Sequence, residues 1–242
     1  METRPHPDFP EPKIQRVTIG TMFKSVLAIL NLEKGIFYTA WEMIKSPGDA
    51  MRRYLFEDRN KFIEPLKFLV LTIPVYIFLS MTFYPEASFF AGIEEGFARN
   101  NDEAMDTGKK EQMRLLLEYI KEYSNLLLLL TVPIGAIWTY ILFYRYKLSF
   151  GEHLVLNAFL YGFLTLVTII LLPLNWWSST ITSYIVIALN IGYITYFVKD
   201  FFRKSWGRAI FSSLVLTSLS FVTSFIGLTV VVILFAIVIQ IF

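Results

Sequence analysis

The stretch HLVLNAFLYGFLTLVTIILLPL, running from His153 to Leu174, contains no Asp, Glu, Lys or Arg. A helix needs roughly 20 apolar residues to cross a ~30 Å hydrocarbon core at about 1.5 Å per residue. This segment meets that requirement. So do Leu66–Tyr84, Asn125–Tyr144 and Thr180–Val198. A fifth apolar stretch, Ala209–Phe242, is longer than one crossing needs, and a split near Ser224–Gly227 leaves two pieces short for crossing. One long or tilted helix, with its first turns at the cytoplasmic surface, is the simpler expectation. The sequence therefore predicts an all-α, polytopic transmembrane bundle of five spans.

Whole-chain composition agrees. The 242 residues are 55% hydrophobic and only 17% charged, with mean hydropathy +0.53, whereas soluble domains carry about 25% charged residues. The lack of cysteine excludes a disulfide scaffold and a Cys-ligated metal domain. His6 and His153 are the only histidines, so no multi-histidine metal site and no cofactor are expected. A net charge of +2 supplies no field for nucleic acid. His-Glu-x-x-His, Gly-x-Ser-x-Gly and phosphate-cradling Gly-rich motifs are all missing, so no enzymatic activity is expected. The first apolar run, Ile19–Leu30, carries Thr21, Lys24 and Ser25 and no small-residue cleavage pattern, so it does not read as a signal peptide. No glycosylation sequon occurs, which fits a bacterial cytoplasmic membrane.

Orientation follows from Lys and Arg between spans. Ten precede the first span, Arg145 and Lys147 follow the second, and Lys199, Arg203, Lys204 and Arg208 follow the fourth. The turn Asn175–Ser179 holds none, and loop 85–124 balances five bases with nine acids. Alternation is clean with the N-terminus in the cytoplasm and the C-terminus outside.

Residues 1–17 contain Pro5, Pro7, Pro10 and Pro12 and read as an extended tail. Residues 18–64 read as cytoplasmic amphipathic helices, and 65–242 as the five-span domain. Ile19, Met22, Phe23, Val26, Leu27 and Leu30 share one helical face, and Ile36, Phe37, Ala40, Trp41 and Ile44 share another. Ser46-Pro47-Gly48-Asp49 reads as a helix start. That helix is expected to turn Ala50, Met51, Tyr54 and Leu55 toward an apolar surface and Arg52 and Arg53 toward water or lipid phosphates. Aromatic faces beside Lys and Arg suit an interfacial helix, although packing against the ends of the spans explains the same pattern. Nine acids nearly cancel the ten bases of this region, which disfavours a strong polybasic anchor.

The run LEKGIFYTAWEMIKSPGDAMRRYLFEDRNKFIEPLKFLV (Leu32–Val70) resembles the uncharacterised bacterial membrane family known as domain of unknown function 3667. The resemblance rests on Gly35, Pro47-Gly48, Arg53-Tyr54-Leu55, Arg59, Lys61 and Pro65. Many members begin with a Cys-rich zinc ribbon, which a cysteine-free chain lacks. The order of a cytoplasmic N-terminus and five spans is also similar, more distantly, to Yip-type membrane proteins, a likeness of architecture that supplies no function.

Three groups of residues are candidates for function. Trp41, Arg52, Arg53, Tyr54, Arg59 and Lys61 form a candidate contact for inner-leaflet lipid or a protein partner at the cytoplasmic face. His153, Asn157, Tyr161, Thr165 and Thr168 share a face of the third span, and Asn190 lies mid-way along the fourth. Polar groups in hydrocarbon must find partners, so these either line a path for solute or protons or act as interhelical glue. Ser213, Thr217, Ser220, Ser224 and Gly227 form a small-residue stripe suited to close packing, within the bundle or in a homo-oligomer. In loop 85–124, Met113, Leu116, Leu117 and Ile120 form an apolar stripe, and Glu118 and Glu122 face water or a cation. The leading expectation is a non-enzymatic membrane interaction or scaffold protein. The competing one is a transporter or channel along His153, Asn157, Tyr161 and Asn190.

Overall fold

The computed structural model describes residues 35–84, 115, 118 and 124–241. The Pro-rich tail, the Ile19–Leu30 helix and most of loop 85–124 therefore lie outside the described residues. Helices α1 (Ile36–Lys45) and α2 (Pro47–Phe56) are short and surround a tight Ser46 corner. Five longer helices follow: α3 (Pro65–Phe83), α4 (Ser124–Leu142), α5 (Phe150–Leu171), α6 (Ser179–Phe201) and α7 (Trp206–Ile241). No strand occurs among the described residues.

Four of these helices are long and apolar enough to cross a membrane: Pro65–Phe83, Phe150–Trp176, Ser179–Phe201 and Trp206–Gly227. The fifth long helix, α4, contributes a shorter apolar described stretch, Leu128–Leu142. The chain is thus a multi-pass α-helical membrane protein. Its last apolar stretch is one continuous helix of 36 residues, with no break at Ser224–Gly227. At about 1.5 Å per residue it is far longer than a ~30 Å core.

Local sequence sets the helix ends. Ser149 opens α5 with a reciprocal capping box: its hydroxyl accepts from the Glu152 N–H at 3.2 Å, and the Glu152 carboxylate accepts from the Ser149 N–H at 2.7 Å. Pro173 converts the other end of α5 into a 3₁₀ turn, Leu172–Trp176, while Pro74 and Pro133 lie inside α3 and α4. Ser178 caps α6, accepting from the Ile181 N–H at 3.3 Å.

Helix α5 packs against α3, α4 and α6, and α7 closes the bundle against α4 and α6. Connections alternate between two ends. At one end Phe143 stacks on Phe202 with ring centroids 3.9 Å apart, and the Tyr146 hydroxyl donates to the Phe202 carbonyl at 3.0 Å. At the opposite end Tyr84 meets Trp176, and Trp177 is 91% exposed. Helices α1 and α2 dock at the Phe202 end. Tyr54 inserts edge-on between Phe62 of the linker and Phe159 of α5, at 5.8 and 4.8 Å, and Met43, Ala50, Met51 and Phe68 join the same core. Such ring pairs contribute about 0.5–1.5 kcal/mol each beyond burial.

Gly48 permits the closest approach in this docking. A Cβ there would lie 2.3 Å from the Phe201 nitrogen and 2.4 Å from the Asp200 carbonyl carbon, and neither backbone atom can yield. A Cβ on Gly192 would meet nothing within 4 Å. Gly48→Ala is therefore expected to destabilise by at least the ~1–3 kcal/mol typical of overpacking. Gly192→Ala is expected to leave thermal stability in detergent unchanged or slightly raised. Equal melting temperatures for the two variants would contradict this packing.

Candidate functional site

Arg52 and Arg53, expected to face water or lipid phosphates, bond within the chain, as does the exposed Arg59. Arg52 Nη1 donates to the carbonyls of Asp200 and Phe201, at 2.7 and 2.6 Å, and Nη2 donates to the Asp49 carboxylate at 2.5 Å. Arg53 pairs with Glu42 of α1 and lies 3.4 Å from the Tyr38 hydroxyl. Arg59 donates to the Tyr54 and Leu55 carbonyls at 3.1 and 3.4 Å, closing the C-terminal turn of α2. The physical reason is local: unsatisfied helix carbonyls and partly buried carboxylates lie within reach and accept charge-assisted hydrogen bonds from the guanidinium groups. Tyr54 is buried, Lys61 is exposed, and Trp41 projects 63% exposed.

Two helix ends complete each other here. The Ser46 side chain makes no capping bond; instead the Gly48 N–H in the first turn of α2 donates to the Asp200 carboxylate at 2.7 Å. In return Arg52 binds the last carbonyls of α6. A carboxylate thus sits at the positive end of α2 and a guanidinium at the negative end of α6, both favourable in the helix-dipole field. Arg52 beside it holds the Asp49 carboxyl below the usual carboxylate range. A lowered carboxyl adds stability that is present above about pH 4 and is lost as pH falls through its folded value.

Trp41 stands in an exposed apolar row on α1. Phe37 is 83% exposed and Ile44 59%, one helical turn either side of Trp41. A polar cleft of about 490 Å³ opens beside this face, lined by Glu42, Lys45, Asp49, Arg52, Arg53 and Arg203, with Ser46 and Glu57. An apolar groove of about 250 Å³ runs on from Ile44 between α5 and α6, over Phe163, Val167, Leu189, Asn190 and Tyr193. The Tyr193 and Tyr196 hydroxyls donate to the Met43 and Lys45 carbonyls, at 2.8 and 3.2 Å, so the upper wall of the groove is pinned to α1.

Among the described residues the members of the polar stripe meet different neighbours. Asn157 is buried, and its Nδ2 donates to the Thr139 hydroxyl and the His153 carbonyl, both at 2.8 Å. Thr165 and Thr168 return their hydroxyls to carbonyls one turn back, and Tyr161 packs against the cluster of Leu69, Ile73 and Val132. The cavity bordering Asn157 measures about 10 Å³, at the lower edge of what one water needs. Asn190 donates to the Val186 carbonyl and faces the α5–α6 groove, which shares no lining residue with that cavity. His153 is fully buried against the Tyr140 ring, and neither ring nitrogen has a hydrogen-bond partner among the described residues.

The small-residue stripe of α7 is engaged inside the chain over its first part. Ser213 and Thr195 hydroxyls lie 2.5 Å apart, and Thr217 Oγ1 is buried without a hydrogen-bond partner among the described residues. Ser224 is half-buried and Gly227 faces open space. No group of three or more metal-binding side chains occurs among the described residues.

An all-helical bundle with several membrane-length helices and a docked pair of short ones defines the class. Within it, residues 33–77 match the model of a family described as "Protein of unknown function (DUF3667)". The match covers α1, α2 and the first two-thirds of α3, so the family signature coincides with the docked pair and the helix that follows it. It says nothing about the Yip-type likeness or the zinc ribbon. No curated protein and no solved structure matches the chain.

Burying an imidazole without partners costs about 1–3 kcal/mol. His153→Leu is therefore expected to raise the melting temperature, while Asn157→Leu, which strips Thr139 of a donor, is expected to lower it. A His153→Leu variant that melts lower would show that the ring has a polar partner such as ordered water.

Proposed function

We propose that the chain is a five-span protein of a bacterial cytoplasmic membrane. Its docked N-terminal helices serve as a non-enzymatic contact surface for the inner leaflet and for partners there. The observation that carries this reading is the exposed row Phe37–Trp41–Ile44 at the level of the helix ends, beside arginines engaged in holding the row in place. An apolar aromatic row at that depth suits the interface between headgroups and acyl chains. The basic groups engaged internally are unavailable as a polybasic anchor.

Topology supports the same picture. Helix α4 is 19 residues long and is bonded into the bundle through Trp138 Nε1 to Thr223 Oγ1 at 3.0 Å and through Thr139 to Asn157. Counting it as a span gives five. Among the described residues every Lys and Arg falls at the α1–α2 end, which the positive-inside tendency assigns to the cytoplasm. Exposed Trp176 and Trp177 mark the opposite interface. An oligomeric contact through α7 would use its other face, with Phe211, Leu214 and Phe221, because Ser213 is bonded and the Thr217 hydroxyl buried within the chain. The transport reading ranks second: it needs a path past Asn157, where the interior is nearly closed.

The cysteine-free chain makes both halves testable. In sealed cells an impermeant thiol reagent is expected to label Trp177→Cys from outside and Ser205→Cys only after permeabilisation. In vesicles, the fluorescence of a variant with Trp41 as its sole tryptophan is expected to be quenched by lipids brominated near the headgroup. Reversed labelling would sink the orientation, and an unquenched Trp41 would sink the interfacial contact.

A further inference from the structure

We propose that the polar cleft and the apolar groove together form a binding site for one anionic glycerophospholipid. Its phosphate would lie between Lys45 and Arg203, and an acyl chain along the α5–α6 groove. This rests on the interfacial reading above and specifies the ligand of that surface.

The charge inventory of the cleft supports this occupant. Its lining holds four basic residues, Lys45, Arg52, Arg53 and Arg203, and three acids, Glu42, Asp49 and Glu57. Arg53 is paired with Glu42, and Arg52 with Asp49 and the carbonyls of α6. Lys45 and Arg203 have no ion-pair partner among the described residues, although the Asp49 carboxylate feels the Arg203 charge and Glu57 also lines the cleft. The cleft lining therefore carries four bases against three acids, a surplus of one positive charge that suits a single phosphate diester. Its volume falls within the ~300–1,000 Å³ usual for ligand sites.

The groove supports a lipid over a soluble phosphate. It begins at Ile44, the neighbour of Lys45, and its lining is almost wholly apolar, from Phe163, Leu164 and Val167 on one side to Leu189 and Tyr193 on the other. Both walls belong to helices long and apolar enough to span the membrane. An amphiphile with its charge at Lys45 would meet the groove one residue along α1, at Ile44, and could lay its tail there. The adjacent exposed row Phe37–Trp41–Ile44 keeps this mouth at the interface rather than in water.

The backbone at Arg203 adds to this. Its φ of 48° is left-handed, a conformation that glycine adopts freely and other residues at a cost. It ends α6 in the manner of a Schellman turn, with the Lys204 N–H donating to the Lys199 carbonyl at 3.1 Å. Glycine is the residue such a turn favours, yet a cation stands there, facing the cleft. This makes Arg203→Gly an unusually clean test, since it removes the charge while relieving the backbone.

The experiment is native mass spectrometry of the detergent-purified full chain after delipidation, titrated with phosphatidylglycerol, phosphatidylcholine or glycerol phosphate. Wild type is expected to retain one phosphatidylglycerol at least tenfold more tightly than phosphatidylcholine, with no retention of glycerol phosphate. Arg203→Gly and Lys45→Gln are each expected to reduce that preference at least threefold with unchanged or higher melting temperature. Leu189→Trp is expected to block retention by filling the groove. Equal retention of both lipids, retention unaffected by Arg203→Gly, or a chain dimer that excludes lipid would each overturn the proposal. Quenching of Trp41 by brominated lipid, with phosphatidylglycerol retention independent of Lys45 and Arg203, would overturn this site while leaving the interfacial reading in place.

Discussion

The docked end of the bundle depends on an exchange of caps between two helices distant in sequence. Each α-helix leaves N–H groups unmet at its start and carbonyls unmet at its finish. Here Asp200, at the finish of α6, accepts from the Gly48 N–H at the start of α2, while Arg52 of α2 donates to the Asp200 and Phe201 carbonyls. Charged hydrogen bonds of this kind contribute roughly 1.5–3 kcal/mol each when half-buried. Neither cap forms unless the two backbones nearly touch, and only a residue without a side chain at position 48 allows that.

From this exchange the position of the surface features follows. With α2 fixed on α6, Tyr54 reaches Phe159 of α5, and the α1–α2 corner brings Glu42 within reach of Arg53. The opposite face of α1 is then left outward, carrying Phe37, Trp41 and Ile44. The same placement sets Lys45 beside Arg203 and roofs the α5–α6 groove with the Met43 and Lys45 carbonyls, which Tyr193 and Tyr196 hold. Stability and surface chemistry therefore share residues, yet the groups that hold the docked helices are different from those left free to bind.

Much of the architecture was readable from hydropathy, because length and freedom from charge alone decide whether a helix can lie in hydrocarbon. The continuity of Trp206–Ile241 was readable for the same reason. The burial of Ala50, Met51, Tyr54 and Leu55 followed from helical spacing. The destination of Arg52 did not, since periodicity tells that a side chain leaves the apolar face but not that a foreign helix end waits there. Asp200 gave no signal at all: one acid after a span looks like an ordinary surface charge. The polar stripe on α5 was visible as a pattern, but its members meet different neighbours, because a stripe at steps of four drifts around a helix with 3.6 residues per turn. The pairing of Lys45 with Arg203 crosses 158 positions and could be seen only in three dimensions.

The exchange of caps makes α2 and the end of α6 one cooperative unit, and hydrogen–deuterium exchange of the full chain tests that claim most directly. In the Arg52→Met variant, faster exchange is expected together in residues 48–56 and 198–204, with α3 protected as in wild type. Acceleration confined to α2, or no change at the α6 end, would contradict the account.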